Sequence, residues 1–551
     1  MARRNLKKKA DSRPLDPARR ARIEQALGAG DIARAAELAE AALAAGRTDP
    51  LVLNLAAWRR EEAGDFGAAH QLLQRALALA PGDVMVAGAI GAVLRKEGRL
   101  DEALAVLDRV VAAEPRHGAA WLERGYTLEA LRDEPAASRS YAQALALDPD
   151  LAPALGKLAD LAAKRGDRAS GQDYAERALA VDPAQPSAVF ALATIAMEAG
   201  EPQRAADRLA ALLETALKGD DRSRTLTLLG DALDKLDRPD DAFGAWVQAQ
   251  RTFRETFAPL LAPQPQRPSH RQFIETITAR VEAAPPWLQG ARPAPTPGAA
   301  ATHVFLLGYP RSGTTLVENI LASAPGVVAL EERDTLLDAD EALVPNDGNL
   351  PDLDTLDRSL LTHLRERYWA RVRAMAGEDV AGGVFVDMNP FNGIKLPIIA
   401  RLFPDARILI MRRDPRDVVL SCFRINFTPS AAAFAFTELE EAARHYDALM
   451  RLIEACRERL PLAFHEVRYD RLVAAFDSEV RALADFVGLE WTDDFKSFDR
   501  TAKSRGVRTA SATQVRRGLY DGGGRWRRYE RQLAPALPIL APWVERLGFK
   551  L

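Results

Sequence analysis

The 551-residue chain has only two cysteines, Cys422 and Cys456. That is too few for a disulfide framework or a cysteine-rich zinc module, and it suits a reducing compartment. Both are expected in the core. Nowhere does the sequence hold about 18 consecutive apolar residues, the length a helix needs to cross a bilayer. Nine Lys and Arg lie between Arg3 and Arg22, but no apolar block of a secretion signal follows them. Residues 1–20 therefore read as a flexible basic tail, and the expected location is cytoplasmic. There is no excess of charge of either sign: 74 Lys plus Arg stand against 77 Asp plus Glu, a net −3. Neither nucleic acid nor a membrane is expected as a partner. The seven histidines form no H-E-x-x-H and no paired ligand spacing, so no metal site is expected, and His445 and His465 read as packing or surface residues. What remains is an ordinary globular composition, 48% hydrophobic and 27% charged, which excludes collagen and wholesale disorder. At roughly 150 residues per domain, the length calls for two to four folded units.

The first half is periodic. Pro81, Pro115, Pro149 and Pro183 are 34 residues apart, and Gly30, Gly64, Gly98, Gly166 and Gly200 follow the same step, with Arg132 at the one position lacking glycine. A small residue comes five positions later in each unit: Ala35, Ala69, Ala103, Ala137, Gly171 and Ala205. The three series describe helix pairs in which glycine makes the turn, the small residue permits close approach and proline stops the second helix. The pattern over residues 21–255 resembles the tetratricopeptide repeat family, ending in a displaced unit, "LLGDALDKLDRPDDAFGAWVQA". The resemblance implies an all-α superhelix that holds a protein or peptide partner; the alternative is a rigid spacer. From 256 to 300, nine prolines surround one helical candidate, "HRQFIETITARVEA", and this stretch reads as a Pro-rich linker.

From residue 301 the pattern changes. In "HVFLLGYPRSGTTLVENILASAP" an apolar strand, a glycine-bounded loop and a helix opening at Thr314 follow one another. Such a loop cradles phosphate, because successive N–H groups and the helix N-terminus converge on an anion. Gly308 and Gly313 have the spacing of a nucleotide-triphosphatase loop, but Thr314 stands where the lysine for the β and γ phosphates belongs. Arg311 and the hydroxyls of Thr314 and Thr315 are present instead. A second block, "ARILIMRRDPRDVVLSCF", reads as a strand ending in Arg412 and Arg413, an Asp414–Pro415 helix start, and Ser421 two turns on. A guanidinium fork and a hydroxyl suit a dianionic phosphate.

"GYPRSGTTL" resembles the 5′-phosphosulfate loop of the sulfotransferases, and the likeness runs over about residues 303–540. It is similar to the bacterial sulfotransferases that carry N-terminal tetratricopeptide repeats and, more distantly, to tyrosylprotein sulfotransferases. The resemblance implies a three-layer α/β, P-loop-like domain over 301–551 with a mainly parallel sheet. It implies 3′-phosphoadenosine 5′-phosphosulfate (PAPS) as co-substrate and no metal. By the same likeness Arg311, Ser312, Gly313, Thr314 and Thr315 hold the 5′-phosphosulfate, and Arg413 with Ser421 holds the 3′-phosphate. In "VRTASATQVRRGLYDGGGRWRRYE", the likeness is to the C-terminal loop that closes over the nucleotide, with Arg517 (preferred over Arg516) as phosphate ligand, Arg525 and Trp526 as an arginine and an aromatic for phosphate and adenine stacking, or Trp526 as a packing residue, and Ser511 corresponding to a serine near the transferring group. Glu332 corresponds to the base that takes the acceptor proton, with Glu331 as competitor, and Arg311 carries charge in the transfer. The family's lysine before Asn389-Pro390 is replaced by Met388, with Lys395 as a possible substitute. Tyr469 is either a donor-site tyrosine or a strand-end core residue. The acceptor is left open among a protein tyrosine, a glycan and a small hydroxylated molecule. The rival readings are a kinase-like enzyme using ATP and a nucleotide-binding scaffold whose transfer site has decayed.

Overall fold

A computed structural model of the chain describes residues 15–217, 219–283, 296–505, 518–519 and 522–550. The chain divides into two compact units, Met1–Thr215 and Ala216–Leu551. Most of the basic tail lies outside the described residues; from Pro17 onward it is helix.

The first unit consists of six consecutive helix pairs. They are α1 (Pro17–Gly28) with α2 (Ile32–Ala44), α3 (Pro50–Glu62) with α4 (Phe66–Leu79), α5 (Val84–Lys96) with α6 (Leu100–Ala113), α7 (Gly118–Ala130) with α8 (Glu134–Leu147), α9 (Ala152–Arg165) with α10 (Arg168–Val181), and α11 (Pro186–Glu198) with α12 (Pro202–Leu213). Each recurring residue type has its local cause. The turn glycines have φ between 74° and 81°, and Arg132 adopts the same left-handed conformation at 60°. Before each repeat proline the helix ends on an extended residue, Ala80, Glu114, Asp148 or Asp182, with φ from −129° to −139°, because proline disfavours the α region for its predecessor. The small-residue alanines are fully buried. Two further glycines, Gly91 and Gly125, also lie 34 apart: a Cβ there would come within 2.6 Å of Leu107 Cγ and 2.3 Å of Tyr141 Cε1. Asp31, Asp65, Asp133 and Asp167 cap the second helices, each accepting from a first-turn N–H.

The second unit is built around five parallel strands: β1 (Thr302–Leu307), β2 (Val327–Glu331), β3 (Val384–Met388), β4 (Arg407–Arg412) and β5 (Ala463–Arg468), in the order β2-β3-β1-β4-β5. Alternation along the strands divides the core in two. Val304, Leu306, Val386, Met388, Leu409 and Met411 face one apolar layer, with α16 (Thr314–Ala322), α24 (Phe476–Val487) and α25 (Phe498–Arg505). Phe305, Leu307, Phe385, Ile408 and Ile410 face the other, with α18 (Arg358–Ala376), α19 (Leu396–Leu402), α20 (Pro415–Phe423) and α22 (Leu439–Arg459). The smaller α17 (Leu337–Leu343), α21 (Ala431–Ala435) and α23 (Tyr469–Ala474) connect them, and α26 (Glu530–Leu533) and α27 (Leu537–Arg546) close the chain. Among the described residues no helix is long and apolar enough to cross a membrane.

The division into compact units cuts across the repeat array and the Pro-rich stretch. The last repeat-like pair, α13 (Gly219–Lys235) and α14 (Pro239–Leu261), belongs to the second unit. Its Leu233, Ala242, Ala245 and Trp246 pack on Leu420 and Phe423 of α20 and on Trp526, Tyr529 and Leu533. Within 256–300, the helical candidate is not linker: α15 (His270–Ala283) buries Ile274, Ile277 and Val281 in the same core as the sheet. Its apolar stripe at helical spacing outweighs the prolines around it.

Candidate active site

The glycine loop joins β1 to α16 at the C-terminal edge of the sheet. Both glycines are sterically required. A Cβ on Gly308 would lie 2.8 Å from the Met411 carbonyl oxygen and 2.9 Å from Ser312 Oγ; on Gly313, whose φ is +112°, it would lie 2.7 Å from Tyr469 Cδ2. Arg311 between them is left-handed, φ 71°. The helix that follows has no side-chain N-cap, and Thr314 and Thr315 occupy its first turn, where the helix dipole favours an anion. Ser312 Oγ is buried and has no hydrogen-bond partner among the described residues. An unsatisfied buried hydroxyl is costly, and it fits a cradle built for phosphoryl or sulfuryl oxygens.

The loop is fixed from behind by Tyr309, whose OH shares a 2.7 Å hydrogen bond with His445 Nδ1, while His445 Nε2 lies 2.6 Å from His270 Nδ1. Burial pushes His270 down to about 4 and His445 well below the ordinary imidazole range. Both rings are therefore neutral, and His445 is a packing residue that anchors the loop. His465 stacks on Phe486 at 5.1 Å.

Strand alternation separates the two arginines ending β4. Arg412 is 1% exposed and bound to Glu454 and, at 3.1 Å, to Glu466. Arg413 turns to the loop: Nη1 donates to the Arg311 carbonyl at 3.2 Å and Nη2 to the Gly522 carbonyl at 2.7 Å, with the guanidinium 4.7 Å over the Tyr469 ring. Its Nε is buried with no partner among the described residues. Arg311 Nε donates to Ser421 Oγ at 3.1 Å. Desolvation above all, with the Arg413 and Arg424 charges adding to it and Cys422 and Glu332 opposing, lowers the Arg311 pKa to about 10. Arg311, Arg413, Arg424, Ser421 and Glu332 thus share one neighbourhood. Arg424, which sequence reasoning missed, is held by Asp231 of α13 at 2.6 Å.

Glu332 directly follows β2 and has φ 46°, with its N–H bonded to the Met388 carbonyl at 2.7 Å. Met388 is fully buried in the apolar layer under α16. Lys395 is ion-paired with Asp340 of α17, so that ammonium is already committed. Beside it, Asp387 accepts from Thr335 Oγ1 at 2.6 Å and from Tyr368 OH at 2.7 Å, and burial raises its pKa to about 6.

In the C-terminal segment, Gly524 N–H and Trp526 N–H donate to the two oxygens of Asp417 at 2.7 and 2.8 Å. Arg525 does not reach the loop: it is bound to the buried Asp234, which also accepts from Tyr529 OH. Trp526 is 5% exposed in the apolar cluster, with the Arg416 guanidinium 3.9 Å over its ring and that of Arg527 at 5.1 Å. Buried in that cluster and covered by guanidinium groups, the ring packs here. Both side chains follow from the α13–α14 contact, which the sequence reading had assigned to the array. Ser511 and Arg517 lie outside the described residues. Among the described residues no group of three or more His, Cys, Asp or Glu is arranged to hold a metal ion.

Comparison with known proteins agrees with the two-part architecture. Residues 303–493 match the profile of the sulfotransferase family, and residues 61–124, 157–216 and 190–252 match tetratricopeptide-repeat profiles. An uncharacterized protein of Aquifex aeolicus (strain VF5) is 30% identical over 255 residues, 44% of this chain and 33% of that protein. A putative protein-tyrosine sulfotransferase of Caenorhabditis briggsae is 24% identical over 197 residues, 34% of this chain and 66% of that protein. Protein-tyrosine sulfotransferase 1 of Danio rerio is 23% identical over 269 residues, 45% of this chain and 72% of that protein. The first two are thus matched over a third and just under two thirds of their own lengths.

Proposed function

We propose that this chain, which joins tetratricopeptide repeats to a sulfotransferase-family domain, transfers a sulfuryl group from PAPS to an acceptor hydroxyl. The observation that carries the reading is the chain of contacts from Arg413 to the Arg311 carbonyl and from Arg311 to Ser421. It ties the strand-end arginine and the helix serine to the glycine loop, so one site can grip anions at two places.

When bound, PAPS supplies the sulfuryl group and a phosphate leaving group. The loop N–H groups of residues 311–315 and the start of α16 hold the 5′ end. Arg413, whose buried Nε has no hydrogen-bond partner among the described residues, and Ser421 hold the 3′-phosphate. Arg311, desolvated and flanked by like charge, bears the charge that develops on the bridging oxygen. Glu332 takes the acceptor's proton on a carboxylate oxygen as the new S–O bond forms. With Met388 apolar and Lys395 held by Asp340, Arg311 is the cation assigned to the leaving group. Arg525 and Trp526 keep a structural role in this scheme, while Ser511 and Arg517 are proposed as the C-terminal contacts to the nucleotide.

The acceptor is proposed to be a protein tyrosine, in line with the names of the Caenorhabditis and Danio relatives, with the repeats presenting the peptide. Calorimetry decides the donor: 3′,5′-adenosine diphosphate should bind well and ATP poorly, and the reverse order would favour the kinase-like reading. Radiolabelled PAPS added with the protein to a cell extract should label tyrosine in polypeptides. Label in glycans or small molecules would reassign the acceptor, and no label despite nucleotide binding would leave a scaffold.

A further inference from the structure

The loop helix α16 adds Leu316, Val317, Ile320 and Leu321 to the apolar layer and also buries an acid, Glu318, whose side chain is 1% exposed. Arg505, the last residue of α25, reaches it: Nη2 donates to Glu318 Oε1 at 3.0 Å and to the Ala329 carbonyl at 2.7 Å. Ala329 lies in β2, which is an edge strand. Arg505 therefore supplies there a donor that a neighbouring strand would otherwise supply. Glu331 and Glu332 follow Ala329 by two and three residues. On the other side, Asn319 Nδ2 donates to Glu318 Oε2 at 3.3 Å and to the Thr315 carbonyl at 2.8 Å. One carboxylate thus links the first turn of the loop helix to the strand that delivers Glu332.

We infer that the Glu318–Arg505 pair is a positioning device of the transfer site, clamping β2 at Ala329, and with it Glu332 three residues on, to the helix that opens the anion loop. The inference rests on Glu332 acting as the proton acceptor. Glu332 leaves the strand in a left-handed conformation, which persists only where the surroundings hold it. An edge strand lacks a second neighbour to do so, and the clamp fills that need.

The clamp is also sensitive to pH. Burial raises the Glu318 pKa to about 7, with the Arg505 charge opposing and the Glu331 and Glu332 charges adding. Among the described residues, the charges that the elements packed on α16 bring towards Glu318 are Arg505 from α25 and Glu331 and Glu332 from the end of β2; the turn Asp493–Ser497 keeps Asp493, Asp494 and Lys496 exposed, and the buried Asp387 of β3 alternates with Val386 and Met388 to the opposite face of the sheet. β1 and β3 contribute Val304, Leu306, Val384, Val386 and Met388. Above about pH 7 the contact is an ion pair, and below it a weaker neutral hydrogen bond.

The test uses full-length protein, initial rates of transfer from radiolabelled PAPS into a cell extract between about pH 5.5 and 8.5, and calorimetric binding of 3′,5′-adenosine diphosphate. Wild-type kcat should climb through about pH 7. Glu318→Gln and Arg505→Gln should lower turnover roughly ten- to a hundredfold at pH 8, as expected of a misplaced reacting group, and lose that climb, with nucleotide binding unchanged. Glu318→Asp should restore part of the climb. The folded carboxylate holds its proton up to about pH 7, above its ordinary range. Stability therefore falls as pH rises through that window, and Glu318→Gln should melt no lower than wild type at pH 8. A wild-type pH profile and turnover in Glu318→Gln, or a loss of turnover matched by an equal loss of binding, overturns the clamp and leaves the sulfotransferase reading standing. Wild-type protein that labels nothing and prefers ATP overturns both.

Discussion

Four described residues other than glycine have left-handed backbones, and they fall in two kinds of place. Arg132 (φ 60°) and Asp237 (φ 59°) sit in turns between paired helices, whereas Arg311 (φ 71°) and Glu332 (φ 46°) sit at the ends of β1 and β2, around the anion loop. The conformation costs each of them roughly 1 kcal/mol relative to glycine. In the first unit glycine fills five of the six turns, while Asp237, in the turn between α13 and α14, accepts from Arg528 Nη2 at 2.7 Å. In the function proposed above, the side chain itself is needed around the loop, a guanidinium on Ser421 and a carboxylate near it, so glycine would satisfy the backbone and forfeit the chemistry. On that proposal the same torsion angle serves a turn in one region and the reacting groups in the other.

The sharpest way to break that contrast is Glu332→Gly. It relieves the backbone and deletes the carboxylate, so the unit should melt at or above the wild-type temperature while turnover from PAPS falls by roughly 10²–10⁴-fold, the usual range for a lost general base. Binding of 3′,5′-adenosine diphosphate should be spared. Unchanged turnover would put Glu332 in the same class as Arg132, a turn residue without chemistry. Next in size is Arg413→Ala, which removes a fork joined to two loop carbonyls; calorimetry should show nucleotide affinity down by about a hundredfold. The neighbouring Arg412→Ala should instead destabilise the second unit, by about 3–5 kcal/mol, since it leaves the buried Glu454 with Arg546 as its one remaining arginine among the described residues.

How much of this was legible in the sequence follows the same division. The array could be read almost residue by residue, because each repeat makes only neighbour contacts and every turn, cap and close approach recurs at 34. Even Arg132 declared itself as the odd member of a glycine series. In the second unit the loop, Arg413 and Ser421 could be placed, since strand, loop and helix are consecutive in sequence. What could not be read was long-range: that Asp234, nearly 300 positions upstream, claims Arg525, that Arg416 covers Trp526, that α15 belongs to the core. Glu318 gave a weak signal, an acid in an apolar helix, whose meaning depends on Arg505, 187 positions away.

A third test moves from torsion to buried charge. Asp387 is fully buried under Tyr368 and Thr335, and its pKa is raised from 3.8 to about 6. Between those values the folded protein holds a proton that the unfolded chain releases, so its contribution is most favourable near pH 4 and declines as pH rises to 6. Asp387→Asn should remove that decline, worth about 3 kcal/mol. Thermal midpoints of the two proteins should diverge in favour of the variant from pH 4 to 6 and run parallel above. Parallel midpoints throughout would mean that the carboxylate is ionised over the whole range.

The smallest effect completes the comparison from the other side. Arg132→Gly restores the glycine that the other five repeat turns carry, with φ already in the region glycine prefers. Two terms oppose each other: relief of the left-handed penalty, roughly 1 kcal/mol, and the greater entropy that glycine gives the unfolded chain, about 0.4–1 kcal/mol. The expected balance is a gain of a few tenths of a kcal/mol at most, with transfer from PAPS unchanged. Arg132→Ala keeps the penalty and discards the side chain, so it should not exceed the glycine variant in thermal midpoint. If it does, the Arg132 turn is not limited by its backbone, and the distinction between turns that tolerate a side chain and a site that requires one would have to be drawn elsewhere.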